Sequence, residues 1–357
     1  MLCGMSDMNS RVRVAVGMSG GVDSSAAAAL LLDQGHEVVG LTAHMWKGSR
    51  CCSLEDVDRA ATVCRHLGIR HEMVNAVEEF GHDIIEPFVR DYAEGRTPSP
   101  CVTCNERIKF GLCLAAGRKL GCEYFATGHY ARIENRSGSY HMLRGHDPEK
   151  DQTYFLHRLS QEQLAHILFP LGGMRKPEVT AYVKARGLPA LFRGESQDLC
   201  FVPDDGHGAM IERYRKELKK PGDIVKRDGR VLGVHGGFYN FTIGQRKGLG
   251  IAWTEPLYVS DVRPEANQVV VGPRSEVMRD ACRLHDIHWM NEVPVSPLHC
   301  DVQIRYRHHA VPAKVCFDGN RAVVQFSEPQ FAITSGQAAV FYSEKEVLGG
   351  GWIEVVL

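Results

Sequence analysis

The sequence has no apolar run long enough to cross a bilayer, which excludes a membrane-spanning helix. Met1 to Ser10 hold no basic region followed by an apolar stretch, so no secretory signal is expected and the cytoplasm is the expected location. Neither charge is in excess: 42 Lys and Arg against 43 Asp and Glu leave a net charge of −1. Global attraction to a polyanion is thereby excluded, and a nucleic-acid partner needs a local basic face. Arg107 with Lys109, Arg246 with Lys247, and Arg305 with Arg307 are candidates, each of them by default a solvated surface pair. Internal repeats, low-complexity tracts and long linkers are lacking as well.

Cysteine is not lacking: there are 12. Without an export signal they are not expected to form a disulfide framework, which leaves catalytic, metal-binding or buried thiols. Cys64, Cys113, Cys282, Cys300 and Cys316 sit among apolar residues and read as small core residues. The vicinal pair Cys51-Cys52 has no assignment.

At 357 residues the chain exceeds one core, so two or three domains are expected. From Val12 to about Phe201, β-rich runs (Val12–Val16, Glu37–Thr42, Arg70–Val74, Tyr124–Thr127) alternate with helical stretches (Ser24–Gln34, Leu54–Leu67, Glu78–Tyr92, Asn105–Leu120). Gly35, Gly68 and Gly121 stand where helix C-terminal glycines belong. This alternation implies an α/β fold with a parallel, doubly wound sheet. Beyond about Pro203 short strands, turns and a glycine-rich loop between Phe241 and Ile251 read as a small, mainly β central domain. After about Met278, five strands (Asp301–Arg307, Ala313–Phe317, Arg321–Phe326, Ala338–Tyr342, Trp352–Val356) suggest a C-terminal antiparallel β-barrel, with a hairpin turn at Asp318-Gly319-Asn320. The expected domains are 1–205, 206–277 and 278–357.

The most informative stretch is Val14-Ala15-Val16-Gly17-Met18-Ser19-Gly20-Gly21-Val22-Asp23-Ser24-Ser25, where an apolar run ends in a Gly/Ser turn and a helix begins at or just after Asp23. Such a turn offers backbone N–H groups and a helix dipole to an anion, with Ser19, Ser24 and Ser25 as hydroxyl donors. It contains no lysine, which excludes the GxxxxGK[ST] phosphate loop. The alternative is a tight strand-to-helix turn without a ligand. The order Ser-Gly-Gly-x-Asp-Ser resembles the loop of the ATP pyrophosphatases, which split ATP into AMP and pyrophosphate to adenylate a substrate oxygen.

A second centre is Pro98-Ser99-Pro100-Cys101-Val102-Thr103-Cys104-Asn105. The prolines make a rigid approach and place Cys104 close to a helix N-terminus, where a lowered thiol pKa is expected. A structural zinc site is the competing reading of CxxC, but no second CxxC or HxxxH accompanies it. A third cysteine, Cys200, lies in Gly194-Glu195-Ser196-Gln197-Asp198-Leu199-Cys200-Phe201.

These stretches, with Ala126-Thr127-Gly128-His129-Tyr130, Lys150 to Phe155, Gly244 to Gly250, Arg305-Tyr306-Arg307, Ser335-Gly336-Gln337 and Gly349-Gly350-Gly351, resemble in joint order the bacterial tRNA-specific 2-thiouridylases. The resemblance covers nearly the whole chain. It implies an ATP-dependent enzyme that replaces the C2 oxygen of the wobble uridine by sulfur, releasing AMP and pyrophosphate. Its cofactor would be ATP with Mg, and its partners wobble-uridine tRNAs such as those for Lys, Glu and Gln. The sulfur donor would be a cysteine desulfurase, a relay protein or sulfide, with no membrane involved. Gly17, Met18, Ser19, Gly20, Gly21, Val22, Asp23 and Ser24 match the ATP-binding positions, with Ala43 and Gly128 near the nucleotide. At Ala43 the family often has a larger apolar residue. Ser99, Pro100, Cys101, His129, Lys150, Asp151, Gln152, Arg305, Tyr306 and Gln337 match tRNA-contacting positions.

Cys104 matches the nucleophile and Cys200 the persulfide carrier, and a transient disulfide between them is implied. Cys101 stands where well-studied members have aspartate. Cys101, Cys104 and Cys200 are therefore also candidate ligands of a [4Fe-4S] cluster with one open iron. Two alternatives are another pyrophosphatase-loop tRNA thiolase or ATP-dependent synthetase, and an iron–sulfur or zinc RNA-binding protein. An ATP site argues against the second.

Overall fold

The structure is a computed structural model that describes residues 11–46, 54–190, 199–203 and 205–357. Its first layer is a five-stranded parallel sheet in the spatial order Arg70–Asn75, Glu37–His44, Arg13–Gly17, Tyr124–Ala126, Ile167–Leu168. Alternation along the first strand explains the layering. Val14 and Val16 face a cluster with Ala26 to Ala29 and Leu31 of helix Val22–Asp33 and Val179 and Val183 of helix Lys176–Ala185. Ala15 faces the opposite cluster, which holds Phe88, Ile108 and Phe110. Both faces are covered, as a parallel sheet requires.

The first strand lies between the second and the fourth, so successive connections leave it toward opposite edges. Its carboxyl end is the topological switch point, where such sheets open a crevice. Gly35, Gly68 and Gly121 take φ of +86°, +69° and +77°, as expected of glycines that end helices. The two-residue strand Ile167–Leu168 is too short to show a period and escapes sequence reading.

The middle region is a four-stranded sheet in the order Tyr258–Arg263, Gln268–Gly272, Gly222–Val225, Val231–His235. The C-terminal barrel has six strands rather than the expected five: Met278–Trp289, Arg321–Phe331, Val311–Asp318, Leu298–Gln303, Ala338–Ser343 and Glu346–Val356, closed by pairing of the last with the first. Irregular register between His285 and His288 and between Arg279 and Ala281 breaks the period-2 pattern of the missed strand. A hairpin also escaped, Ala131–Arg136 with Ser139–Arg144 around Ser137-Gly138. It pairs with the barrel through Leu143 and Glu346 and ties the first region to the third.

Cys64, Cys113 and Cys282 are buried as expected, but Cys316 is exposed and Cys300 half-buried. On Val311–Asp318 the inward positions are Ala313 and Val315, which turns Cys316 outward. Cys51 and Cys52 lie outside the described residues. Among the described residues no helix is long and apolar enough to cross a membrane.

His157 is fully buried and donates from Nδ1 to Tyr154 O at 2.8 Å, leaving Nε2 without a protein partner. Burial pulls its pKa from 6.5 to about 3. Since the folded value is depressed, the neutral ring supports folding above pH 6.5 and that support is lost as pH falls. At about pH 5 the loss from His157 is roughly 2 kcal/mol. Thermal melts from pH 7 to 5 should show a falling Tm, with a smaller fall in His157→Asn. An equal fall in both proteins refutes the assignment.

Candidate active site

The chain leaves Arg13–Gly17 and turns at once into helix Val22–Asp33. Gly20 makes this turn with φ +72°, and a Cβ there would lie 2.8 Å from Cβ of Arg59, so only glycine fits. The loop is braced from within. Ser19 N donates to Ser24 Oγ at 3.2 Å, and that hydroxyl donates to Gly21 O at 3.2 Å. Gly21 is the N-cap and supplies no side-chain cap, so the first N–H groups of the helix lack intrahelical partners. Together with the dipole they form an anion site. Ser25 does not join it: fully buried, it donates to Gly21 O at 2.8 Å and serves the helix start.

Asp23, alone in this first turn, would repel an anion. Its carboxylate is held instead by Lys176 Nζ, 2.7 and 2.8 Å from its two oxygens, and by the Tyr130 hydroxyl, which donates at 2.8 Å. Burial and then the charge of Asp23 push the Tyr130 phenol up, so it remains a donor. Gly128 lets residues 127–130 lie directly on Asp23, since a Cβ at 128 would be 2.7 Å from the Asp23 carbonyl carbon. Lysine, missing from the loop, thus arrives from 153 residues further along the chain.

The cysteine-bearing helix begins at Pro100, with Ser99 as N-cap, and passes from α geometry (Pro100–Thr103) through a π-helical stretch (Cys104–Cys113) back to α (Leu114–Lys119). Cys101, not Cys104, occupies its first turn. Cys104 lies a turn further in, in the apolar cluster with Ile108 and Phe110. Burial pushes its thiol up against the opposing pull of Lys109. The expected thiolate is therefore not favoured, because desolvation outweighs the helix dipole.

Cys200 is half-buried and packs on that same cluster. Its neighbour Phe201 is anchored edge-on to Phe80 and Phe88, with ring centroids at 5.6 and 5.0 Å. Ser196, Gln197 and Asp198 lie outside the described residues. Among the described residues no three His, Cys, Asp or Glu side chains converge as a metal site. Cys104 is buried and Cys101 and Cys200 are half-buried, so these three candidate [4Fe-4S] ligands are not gathered as a ready ligand set among the described residues.

Residues 124–130 link the two centres. Phe110 of the cysteine helix packs on Phe125 and His129, at 6.0 and 5.7 Å, and Gly128 and Tyr130 rest on Asp23. The barrel braces the cysteine approach: Thr97 N donates to Ser335 O at 3.0 Å, and Gln337 Nε2 donates to Thr97 O and Pro98 O at 2.8 and 3.1 Å.

Comparison with known families matches residues 12–204 to the tRNA methyl transferase HUP domain, 209–273 to the tRNA methyl transferase PRC-barrel domain and 279–353 to the aminomethyltransferase beta-barrel domain. The tRNA-specific 2-thiouridylase MnmA of Geobacter metallireducens is 49% identical, with 97% of this chain and 98% of that protein covered. The MnmA of Geotalea uraniireducens is 48% identical, with 97% and 96% covered. The chain belongs to the tRNA-specific 2-thiouridylase family. A solved structure, the U34-tRNA thiolase NcsA from Methanococcus maripaludis with its [4Fe-4S] cluster, is 18% identical over 58% of this chain and 66% of its own, at a TM-score of 0.36.

In this 2-thiouridylase family member, several expected RNA-contacting side chains are held by protein partners. His129 is buried beside Thr127 Oγ1, 2.7 Å from Nδ1, and burial and then Lys109 hold its pKa well below the ordinary value. Asp151 accepts from Arg144 at 2.7 Å, Gly145 N at 3.0 Å and Thr153 at 2.7 Å. Gln152 exchanges hydrogen bonds with the Tyr130 backbone, at 3.0 and 3.1 Å. Arg305 donates to Phe331 O at 2.8 Å, and burial lowers its guanidinium pKa.

Tyr306 packs on Phe155 at 4.5 Å, and burial and then the charge of Asp151 raise its phenol. Ser99 and Pro100 are buried and Lys150 is half-buried. Ala43 is buried at the end of its strand, in register with Val74. Sequence reading missed Lys176; its one signal was a Lys-Pro-Glu helix start at 176–178.

Brief alkylation of the native protein at pH 8 should label Cys101 well before Cys104, which is buried in the core. In denaturant the two should react alike. Mass spectrometry of the peptides reads this, and earlier labelling of Cys104 contradicts its burial as a thiol.

Proposed function

We propose that this chain 2-thiolates the wobble uridine of tRNA, using ATP to activate the C2 oxygen. The observation that carries the reading is the segment 124–130, which rests on Asp23 of the anion-binding loop and on the cysteine helix at once. This piece of backbone joins the loop to the cysteine helix, which supports the reading of neighbouring ATP and thiol sites. Family membership with coverage from end to end of its relatives supports the same reading. The working units are 1–205 for nucleotide and chemistry, with 206–277 and 278–357 shaping the RNA site.

Residues 17–24 would hold the ATP phosphates, with Ala43 and Gly128 near the nucleotide. The oxygen-only Asp23 carboxylate suits the Mg ion of ATP, which neutralises phosphate charge when bound. The uridine C2 oxygen attacks the α-phosphorus; the O–P bond forms as the bond to pyrophosphate breaks, and pyrophosphate leaves with the electron pair. The outer sulfur of a persulfide on Cys200 then attacks C2, and AMP departs. Cys104, once deprotonated, attacks the Cys200 sulfur. The S–S bond to the base breaks, 2-thiouridine is released, and the Cys104–Cys200 disulfide awaits reduction by an external thiol. Cys101 flanks the target base with Ser99 and Pro100, and Tyr306 lies across from it. His129, Lys150, Asp151, Gln152, Arg305 and Gln337 build the wall on which the anticodon loop rests. Splayed single-stranded bases suit such a wall better than a duplex does.

Nucleoside analysis of tRNA incubated with the enzyme, ATP and either a persulfide donor or sulfide tests this. 2-Thiouridine should form only with ATP. Asp23→Ala and Ser24→Ala should lower pyrophosphate release roughly hundredfold. Cys104→Ala and Cys200→Ala should form no 2-thiouridine. Product without ATP, or none with either donor, overturns the reading.

A further inference from the structure

Helices Val22–Asp33 and Lys176–Ala185 lie side by side and run in the same direction. Lys176 and Asp23 join their N-terminal ends. Asp33 joins the C-terminal ends, accepting from the Tyr182 hydroxyl at 2.6 Å and pairing with Arg186 Nη1 at 2.7 Å. Val179 and Val183 fill the space between. Two helix N-termini, of 12 and 10 residues, therefore converge on the anion-binding loop.

A lysine is misplaced there if its task is structural. Cations stabilise helix C-termini and are disfavoured at N-termini, and Arg186 at the far end follows that rule. Lys176 sits at the first position of its own helix and beside the start of another. The backbone of that helix start is satisfied without its ammonium group: Lys176 N donates to Asp147 Oδ2 at 2.9 Å and Arg175 N to Glu178 Oε2 at 2.6 Å. Asp147 is buried and Pro177 follows, so the backbone at Lys176 is held while its ammonium is partly open to solvent. What the ammonium adds is positive charge at the mouth of an anion site, and the one carboxylate it holds belongs to that site.

Resting on the ATP reading given above, we propose that Lys176 is a ligand of the nucleotide phosphates, held on Asp23 until the nucleotide arrives. A polyphosphate entering the loop brings more negative charge than Asp23 and draws the ammonium across. Asp23 keeps the Tyr130 hydroxyl and is freed to face the cation that accompanies the nucleotide. The device replaces the lysine that the loop itself does not contain.

Calorimetric binding to the full-length protein tests the proposal, with Mg·ATP, Mg·pyrophosphate and adenosine as probes. Lys176→Met should weaken ATP and pyrophosphate binding roughly 10- to 100-fold, the effect of losing a charge-assisted contact, and leave adenosine within about threefold. Equal losses for all three probes, or none, overturn it. A second measurement needs no variant: acylation of Lys176 in the wild-type protein should be slowed by ATP and pyrophosphate and not by adenosine. Lack of that protection in a protein that binds ATP also overturns it. Wild-type protein that binds neither ATP nor pyrophosphate refutes the ATP reading itself, a different result from normal ATP binding by Lys176→Met.

Discussion

The absence of a side chain at residue 128 is the constraint on which the site depends. Because Gly128 has no Cβ, the chain that leaves the fourth strand lies against the backbone of Asp23. One partner of that carboxylate, Tyr130, depends on this contact. Tyr130 reaches Asp23 only from a backbone at this height, and Gln152 grips the Tyr130 backbone from the other side. A methyl group at 128 would force the two segments apart, at a cost of about 1–3 kcal/mol for overpacking alone. The geometric consequence is larger, since the same segment carries His129 onto Phe110 and so sets the distance between the phosphate loop and the cysteines.

Local features were legible in the sequence. The first strand, its Gly/Ser turn, the helix that follows and the glycines at 35, 68 and 121 each depend on neighbours a few residues away. So does the Asp318-Gly319-Asn320 hairpin, where Asp318 pairs with Arg321 across the turn. What was not legible is closure over long distances. Lys176 meets Asp23 across 153 residues, and no spacing rule announces such a pair. The barrel gained its sixth strand because Met278–Trp289 carries irregular register that hides its alternation. The hairpin at 131–144 is polar along much of its length, so hydrophobic patterning could not reveal it.

Cys104 shows a third kind of miss, in which the right features were weighed in the wrong order. The sequence reading began this helix at Asn105, with Cys104 just ahead of its N-terminus, whereas the helix begins at Pro100 and Cys104 lies inside it. A helix dipole shifts a thiol only within the first turn, and its effect is modest. Cys104 lies beyond that turn with its sulfur in an apolar cluster, where loss of water dominates. Only the burial of Ile108 and Phe110 around it, a tertiary fact, reverses the sign.

That burial gives the barrel a role beyond shape. The residues that fix the position of Cys104 are not all in its own region of the chain. Thr97 and Pro98, which lead into the cysteine helix, are hydrogen-bonded to Ser335 and Gln337 of the barrel. Tyr154, in the segment that also carries Phe155 and His157, donates to the barrel at Ala338 O. Force applied to the barrel turn at 335–337 is thus delivered to the backbone three to four residues before Cys101. The net charge is −1, and Arg144, Arg158 and Arg305 of this neighbourhood are already bonded within the protein, so these three guanidinium groups serve the fold that holds the cysteine approach in place.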